Sequence, residues 1–278
     1  KMKTSLWNQG FDIAQITLTH PVPEKVDVVA IADPRKPFTP EEEANLQAFI
    51  ERGGDMLILV EPDFRESFNP TLRRLLGLEV TSMIVENRTI EPQVLACTTT
   101  PEARKAIYRL APKISMPVVG GIHQMEDKGF DLFPIATCDT AYQAWTELET
   151  TDFLDDTVRF NPDAGEISER FVTMLSLQRK VNGKQQRIVV AGDADCLSNN
   201  EFMVRRNNGG NNELLPLALG NWLSDGEAPI NLDRGIGPDK TIRITETSYT
   251  WMKVLFLYFM PLFTLGLGIA IWLRRRSN

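Results

Sequence analysis

The stretch VDVVAIADPRKPFTPEEEANLQAFIERGGDMLILVEP, residues 26–62, decides the fold prediction. Its two ends, 26–32 and 56–61, are nearly continuous apolar runs, which is typical of strands covered on both faces. Between them, Thr39 and Glu42 form a capping-box pattern that predicts the start of a helix. Strand, helix and strand over this distance predict a βαβ unit with parallel strands and a right-handed crossover.

The rest of the body repeats this pattern more loosely. Residues 14–20 alternate apolar and polar side chains and predict a strand. The pair Asn182-Gly183 predicts a hairpin turn, and RIVVAGDAD, residues 187–195, predicts a third buried strand. We therefore expect residues 1–227 to form one α/β domain. Its sheet should be doubly wound, mostly parallel and flavodoxin-like.

Charge is distributed unevenly along the 278 residues. Lys253 and residues 274–276 supply four of the 30 basic side chains, and no acidic residue lies among residues 253–278. Residues 1–252 therefore carry 26 basic and 37 acidic side chains. An acidic body is a poor partner for phosphate backbones, so we expect no nucleic-acid partner.

Cysteine and histidine are too scarce and too scattered for the common metal and nucleophile motifs. The three cysteines permit at most one internal disulfide, and the two histidines, His20 and His123, are far apart. No zinc motif, no P-loop and no nucleophile elbow occurs. We expect no cofactor and no metal at a dedicated motif.

The chain ends in a segment long enough to cross a bilayer. Residues 254–273 are twenty residues without a charge, about 30 Å of helix. We predict a linker over 228–248, a transmembrane helix over 249–273 and a basic tail over 274–278. Three residues of the span would weaken a soluble helix but are tolerated in a membrane helix: Pro261, Gly266 and Gly268. Of these, Gly266 and Gly268 allow close packing against another helix.

The tail fixes the expected orientation. Arg274, Arg275 and Arg276 follow the span directly, and positive flanks stay in the cytoplasm. The main domain should then be extracytoplasmic, in a periplasm or at a cell surface. The first residues contain no apolar run of signal-peptide length, so we expect an export signal or membrane segment upstream of Lys1. The alternative is a chain that continues from membrane-spanning partners made upstream.

Acidic residues follow three predicted strands. They are Asp33 after the first, Glu61 and Asp63 after the second, and Asp193 with Asp195 after the third. If the strands are neighbours, five carboxylates converge where open α/β sheets bind ligands. Such a cluster suits a divalent metal or acid–base chemistry. The alternative is an acidic rim whose side chains only organise turns through backbone bonds.

Two stretches together resemble a known family. Residues 26–62, and RIVVAGDADCLSNNEF with NNELLPLALGNWLSDGE in 187–226, resemble gliding-motility-type ABC-transport auxiliary proteins, which usually carry a C-terminal membrane helix and a basic tail. Residues 90–170 resemble the family only in the approximate spacing of short strand-like segments and turns. The resemblance implies a fold similar to the glutamine-amidotransferase sandwich without its catalytic cysteine and histidine. It also implies an ABC permease and ATPase as partners.

Three functions remain open from the sequence. The leading one is a non-catalytic, extracytoplasmic accessory subunit of an ABC transporter in the inner membrane, whose helix packs on the permease among lipids and whose domain contacts an envelope substrate. The second is a divalent-metal-dependent envelope hydrolase or phosphotransferase that uses Asp33, Asp193 and Asp195. The third is a structural scaffold, which predicts partners but no ligand.

Overall fold

The computed structural model describes residues 10–87, 91–139, 141–149, 153, 158–201, 209–225 and 246–276. The chain divides into two compact units, residues 1–231 and 232–278. The predicted linker over 228–248 lies largely outside the described residues. Within these ranges the strands are β1 Val28–Ala32, β2 Asp55–Leu59, β3 Leu78–Glu86, β4 Leu95–Thr99, β5 Lys113–Met116, β6 Gly120–Gln124, β7 Asp131–Thr137, β8 Ala144–Thr146, β9 Val172–Val181 and β10 Lys184–Ala191. The helices are α1 Pro40–Glu51, α2 Arg65–Leu76, α3 Pro101–Ala106, α4 Leu215–Leu223, α5 Glu246–Val254 and α6 Met260–Arg276.

The strands form two sheets in the first unit. Seven of them pair in the order β1-β2-β10-β9-β7-β4-β5, and three pair in the order β6-β3-β8. The predicted βαβ unit is confirmed, because β1 and β2 are parallel neighbours joined through α1. The Asn182-Gly183 hairpin is confirmed as well, because it joins antiparallel β9 and β10.

The expected mostly parallel sheet is wrong, and the flavodoxin-like, doubly wound arrangement is not confirmed. Among the described strands of the large sheet, only the β1–β2 and β2–β10 pairings are parallel, and the other four are antiparallel. The βαβ unit sets only the pairing of β1 with β2. The chain instead returns through hairpins and meanders after β3, and antiparallel strands need only short turns between them.

Helix α1 begins where the capping box predicts. Thr39 Oγ1 accepts from the Glu42 N–H at 3.2 Å, and Glu42 Oε2 accepts from the Thr39 N–H at 2.8 Å. Leu46 and Phe49 of this helix are buried almost completely. Each such side chain contributes roughly 1.5–3 kcal/mol by leaving water. Helix α1 therefore packs against one face of the sheet and stabilises it.

Apolar side chains alternate between two cores on opposite faces of β2 and β10. Met56 and Ile58 pack in the core that includes α1 and α2. Leu59 and Val189 pack in the core that includes α3 and α4. The prediction that the second and third strands are buried on both faces is therefore confirmed.

The first strand and the N-terminal segment differ from the prediction. β1 is the edge of the sheet, and Ala30 and Ala32 are exposed, so its runs of apolar residues are covered on one face only. The predicted strand over 14–20 is wrong, since these residues form no strand. This segment is held by side chains instead: Asn45 Nδ2 donates to Leu18 O at 2.8 Å.

The second unit contains the apolar helix. Residues Ser248–Arg276 form a helix long and apolar enough to cross a membrane. Its described side chains are exposed, and a wider π-helical turn spans Leu255–Phe259. This turn lies directly before Pro261, which has no N–H to donate within the helix. Thr264 Oγ1 lies within hydrogen-bonding distance of the carbonyl oxygens of Met260 (3.0 Å) and Pro261 (2.9 Å).

Candidate functional site

The carboxyl ends of β1, β2 and β10 meet at one edge of the large sheet. In the parallel registers, Ala32 of β1 and Ala191 of β10 both lie opposite Leu59 of β2. The acidic residues after these strands therefore leave the sheet at the same level. The condition on which the acidic cluster depended, that the three strands are neighbours, is met.

Asp33 enters the cluster as half of an ion pair. It follows β1 with a φ of 52°, and its N–H donates to Leu59 O at 2.9 Å, which ties the turn to β2. Its Oδ2 accepts from Arg35 Nε at 2.7 Å, while Oδ1 is buried without a hydrogen-bond partner among the described residues. The Arg35 guanidinium lies 4.8 Å from the centre of the Phe64 ring.

Glu61 joins the end of β2 to the turn after β10. Its Oε1 accepts hydrogen bonds from the N–H groups of Ala194 (2.8 Å) and Asp195 (3.1 Å). Burial raises the pKa of Glu61, and the negative charges of Asp195 and Asp33 add to that rise. The two N–H donors act in the opposite direction. Glu61 is therefore a bridge between two strand ends.

Asp193 is fully buried. Its Oδ1 accepts from the N–H of Cys196 at 3.1 Å, and its Oδ2 is buried with no hydrogen-bond partner among the described residues. Burial raises the pKa of Asp193 well above its ordinary value, and the nearby Glu61 raises it further. The neutral acid is thus favoured, and one oxygen binds the N–H of Cys196 in the short 3₁₀ turn Asp195–Leu197.

The last two acidic residues are exposed. Asp195 lies at the rim, close enough to Glu61 for their charges to interact. Asp63 lies in the 3₁₀ turn Pro62–Phe64, and within the described residues no hydrogen bond or ion pair joins its side chain to the other acidic residues. The structure therefore brings together Asp33, Glu61, Asp193 and Asp195, and it leaves Asp63 outside.

Sequence reasoning missed the cation of this site. Arg35 pairs with Asp33, and its pKa is raised first by that pair and then by Glu61 and Asp195. The signal was present, because Arg35 follows Asp33 by two residues in the Asp-Pro-Arg turn. Its guanidinium offsets part of the negative charge that a divalent cation would otherwise meet.

Gly192, directly after β10, lies in close contact with the backbone of Gly120. A Cβ at this residue would lie 2.0 Å from the carbonyl oxygen of Gly120. The Gly120 N–H donates to Gly192 O at 2.8 Å, and the Gly192 N–H donates to Thr173 O at 3.0 Å. The glycine allows β6 to cross directly over the end of β10.

Asn212 was not singled out from the sequence, yet it organises the same region. It lies in the Gly-Asn loop and is buried. Its Oδ1 accepts from Ser115 N–H (2.8 Å), and its Nδ2 donates to Ser115 O (2.7 Å) and Cys196 O (2.8 Å). The side chain pairs with the edge strand β5 as a neighbouring strand would, and it ties that edge to the acidic turn.

The thiols and the histidine near this region are poorly placed for nucleophilic chemistry. All three cysteines are buried and free. Burial raises the pKa of Cys97 and Cys196 well above the ordinary thiol value and that of Cys138 to about 12. His123 Nε2 lies 2.7 Å from Glu169 Oε1, at the surface. A thiolate is the nucleophilic form, so raised pKa values oppose reactivity.

What the cluster can do chemically follows from these contacts. Asp33 already accepts a hydrogen bond from Arg35, and Glu61 and Asp193 already accept hydrogen bonds from backbone N–H groups. Within the described ranges, no three His, Cys, Asp or Glu side chains are arranged to hold a metal ion. The arrangement fits an acidic rim that braces three strand ends, and its use as a ligand site stays a prediction.

Comparison with known proteins gives one functional lead. A family model described as "ABC-type uncharacterized transport system" matches residues 2–79. The match includes β1, α1, β2 and α2, and thus the stretch 26–62. It supports an auxiliary component of ABC transport. The second resembling stretch, 187–226, lies outside it, and the gliding-motility kind is not confirmed. No curated protein matches the chain.

Solved structures show the fold alone. The structure titled "mmIFT52 N-terminal domain" has a TM-score of 0.56 and 15% identity, and the likeness covers 82% of this chain and 91% of that one. The exo-beta-1,4-mannosidase Op5Man5 from Opitutaceae bacterium strain TAV5 has a TM-score of 0.37 and 12% identity, over 82% of this chain and 30% of that one. The second value is too low to support an argument. The first shows that the mixed α/β body is an arrangement found in other proteins.

Proposed function

We propose that this chain is a non-catalytic accessory subunit of an ABC transporter, with its α/β domain outside the cytoplasm and its C-terminal helix in the inner membrane. The observation that carries the proposal is the family match over residues 2–79. The apolar helix Ser248–Arg276 supports it independently, because a transport component works at a membrane.

The proposed orientation rests on charge. Arg274, Arg275 and Arg276 lie at the end of the helix, and positive residues favour the cytoplasmic side. The acidic body then faces outward. The proposed gliding-type kinship rests only on the sequence resemblance.

The proposed contact with the permease rests on the surface of the helix. Its described side chains are exposed, and a Cβ added at Gly266 or Gly268 would meet nothing within 4 Å. Small residues let helix backbones approach closely in lipid, where packing and not the hydrophobic effect drives association. The wide turn before Pro261 gives this helix an irregular surface that a partner helix can match.

The acidic rim supports a binding role over catalysis in this proposal. Its inner carboxylates brace the backbone, and the rim exposes Asp195 beside Arg35. The proposed envelope substrate or sister subunit would contact this exposed part.

Two experiments test the proposal. Orientation is tested with single introduced cysteines, since the three native thiols are buried. A membrane-impermeant maleimide should label Lys184→Cys in intact spheroplasts and Ser277→Cys only after lysis. The reverse pattern would contradict the orientation.

Contact with the permease is tested by photocrosslinking. A photoreactive amino acid at Gly266 or Gly268 should give an adduct with a multi-span membrane protein that mass spectrometry identifies as an ABC permease. The same residue at Lys184, in the exposed β9–β10 hairpin, is the matched control. Adducts with lipid alone from every helix position would contradict the proposed contact.

A further inference from the structure

Two glutamates outside the acidic rim are buried against each other. Glu147, just after β8, is 3% exposed, and Glu166, on the segment that returns toward β9, is 5% exposed. Their carboxyl groups lie side by side, because they accept from consecutive main-chain N–H groups: Leu148 N–H donates to Glu166 Oε1, and Glu149 N–H donates to Glu147 Oε1. Two carboxylates so close cannot both stay ionised without a large repulsion, so one of them must hold a proton or the pair must separate.

Four N–H groups fix the pair in place. Glu147 Oε1 accepts from Glu149 N–H at 2.8 Å, and Glu147 Oε2 accepts from Trp145 Nε1 at 3.2 Å. Glu166 Oε1 accepts from Leu148 N–H at 3.2 Å, and Glu166 Oε2 accepts from Asn161 N–H at 2.6 Å. Every carboxyl oxygen thus has a donor from the protein.

The pair joins two segments that also bond through the main chain. Thr146 N–H donates to Ile167 O at 2.9 Å, and Ile167 N–H donates to Thr146 Oγ1 at 2.9 Å. Trp145 forms an isolated antiparallel bridge with Ser168. The Glu147–Glu166 contact extends this short junction by one more pair of side chains.

The charged surroundings of the pair are acidic. Glu149, on the same segment, binds Asn161 Nδ2 through its own carboxylate at 2.8 Å. On the return segment, Arg159, Asp163 and Glu169 are exposed. On β3, which pairs with β8, Glu86 is buried and acts on the thiols Cys97 and Cys138. In the part of the chain that the structure describes, neither Glu147 nor Glu166 has an ion pair with a cation.

We propose that Glu147 and Glu166 form a proton-dependent latch between the segments Thr146–Glu149 and Asn161–Ser168. With one proton shared, the carboxyl of one residue donates to the carboxylate of the other, and the latch is closed. Loss of that proton to water leaves two buried negative charges, and their repulsion loosens the junction.

The latch operates near neutral pH. Burial raises the pKa of Glu147 to about 7, and the hydrogen bond and charge of Glu166 add to this rise. A domain exposed to the medium outside a cell meets pH changes across this range. The latch therefore gives the domain a response to external pH that the transport role does not by itself require.

Trp145 provides a reporter for the test, because its indole N–H contacts the carboxylate that titrates. Tryptophan fluorescence of the detergent-solubilised full chain should change between pH 5 and 9 with a midpoint near 7, the value to which the pKa of Glu147 is raised. In Glu166→Gln, the neighbouring charge is gone and the midpoint should fall by about one unit or more. In Trp145→Phe the change should disappear.

Asp163→Asn is the matched control, because it removes an exposed carboxylate from the same return segment, and its midpoint should not move. Hydrogen exchange of the wild-type chain provides a measurement that needs no variant to fold. After correction for intrinsic rates, peptides containing Leu148 and Asn161 should lose protection above pH 8. A flat titration, a midpoint unchanged in Glu166→Gln, or pH-independent protection would each overturn the latch.

Discussion

The main-chain N–H of Gly120 donates to the carbonyl oxygen of Gly192 at 2.8 Å, so the start of β6 lies directly on the end of β10. No side chain fits between them, since a Cβ on Gly192 would approach Gly120 O to 2.0 Å. This contact joins the small sheet to the acidic edge of the large one.

Substitution of Gly192 by alanine should therefore destabilise the domain. The two backbones must separate, and we expect a loss of roughly 1–3 kcal/mol in the free energy of unfolding, the usual cost of overpacking. Urea unfolding of the solubilised full chain measures it. Gly183→Asn is the control, because a Cβ there meets nothing within 4 Å and asparagine tolerates its φ of +83°. Equal stability of the two variants would contradict the contact.

Glu61→Ala should lower the stability of the acidic turn. The variant leaves the N–H groups of Ala194 and Asp195 without their acceptor. We expect a cost of about 1–2 kcal/mol, with water replacing part of the loss at the exposed Asp195. The neighbouring Asp63→Ala removes an exposed carboxylate and should change stability by less than about 0.5 kcal/mol. A larger effect from Asp63 than from Glu61 would contradict the assigned roles.

Asn212→Ala should be more damaging than its place in a glycine–asparagine loop suggests. The change removes three hydrogen bonds from a buried amide and leaves Ser115 and Cys196 groups unsatisfied. We expect a loss of roughly 2–4 kcal/mol, measured by the urea midpoint. Asn199→Ala, at an exposed position, provides the control. A neutral Asn212 variant would show that the edge of β5 does not depend on this side chain.

Stability should fall as the pH rises through the acidic range, in part because of Asp55. Burial raises its pKa from 3.8 to about 6, and the charge of Asp225 adds to this. The unfolded chain releases this proton at lower pH than the folded chain. The stabilising contribution is therefore complete below the ordinary pKa and lost as the pH passes the folded value of about 6.

Asp55→Asn removes that contribution and keeps an oxygen for the Arg187 N–H, which now donates to Asp55 Oδ1 at 2.6 Å. The slope of stability against pH between about 4 and 6 should decrease in this variant, as measured by urea midpoints across a pH series. Asp27→Asn removes a negative charge that adds to the raised pKa of Asp55, so it should decrease the slope by less than Asp55→Asn does. An unchanged slope in Asp55→Asn would contradict the assignment.

The native thiols should resist modification. Cys97, Cys138 and Cys196 are buried, and burial raises the pKa of each. A thiol reagent should react with none of them within minutes at pH 8 and with all three after denaturation. Rapid labelling of a native thiol would indicate an open path into this core.

Local signals predicted the parts of the fold that depend on a few adjacent residues. The capping box at Thr39 and the hairpin at Asn182-Gly183 both formed where expected, because each is set by nearby side chains and backbone conformation. Strand partners depend on distant segments. One βαβ unit could not reveal that β9 would pair with β7, and β7 with β4, in antiparallel fashion, and this is why the expected mostly parallel sheet was wrong.

The candidate site was predictable to a similar extent. Acidic strand ends are visible in the sequence, and their convergence followed once the strands were neighbours. The roles of Gly192 and Asn212 were not visible, because each depends on a backbone contributed by a remote segment, at Gly120 and Ser115. Burial raises the pKa of Asp193 and favours its neutral form. The sequence alone does not indicate which residue at a strand end is buried.

The most direct test of the transport proposal is isolation of the intact protein from its native membrane in a mild detergent, with the bound chains identified by mass spectrometry. The proposal predicts an ABC ATPase and a multi-span permease in near-stoichiometric amounts. They should be lost when residues 248–276 are replaced by an unrelated membrane helix. Recovery of the protein without either subunit, under conditions that preserve other membrane complexes, would contradict it.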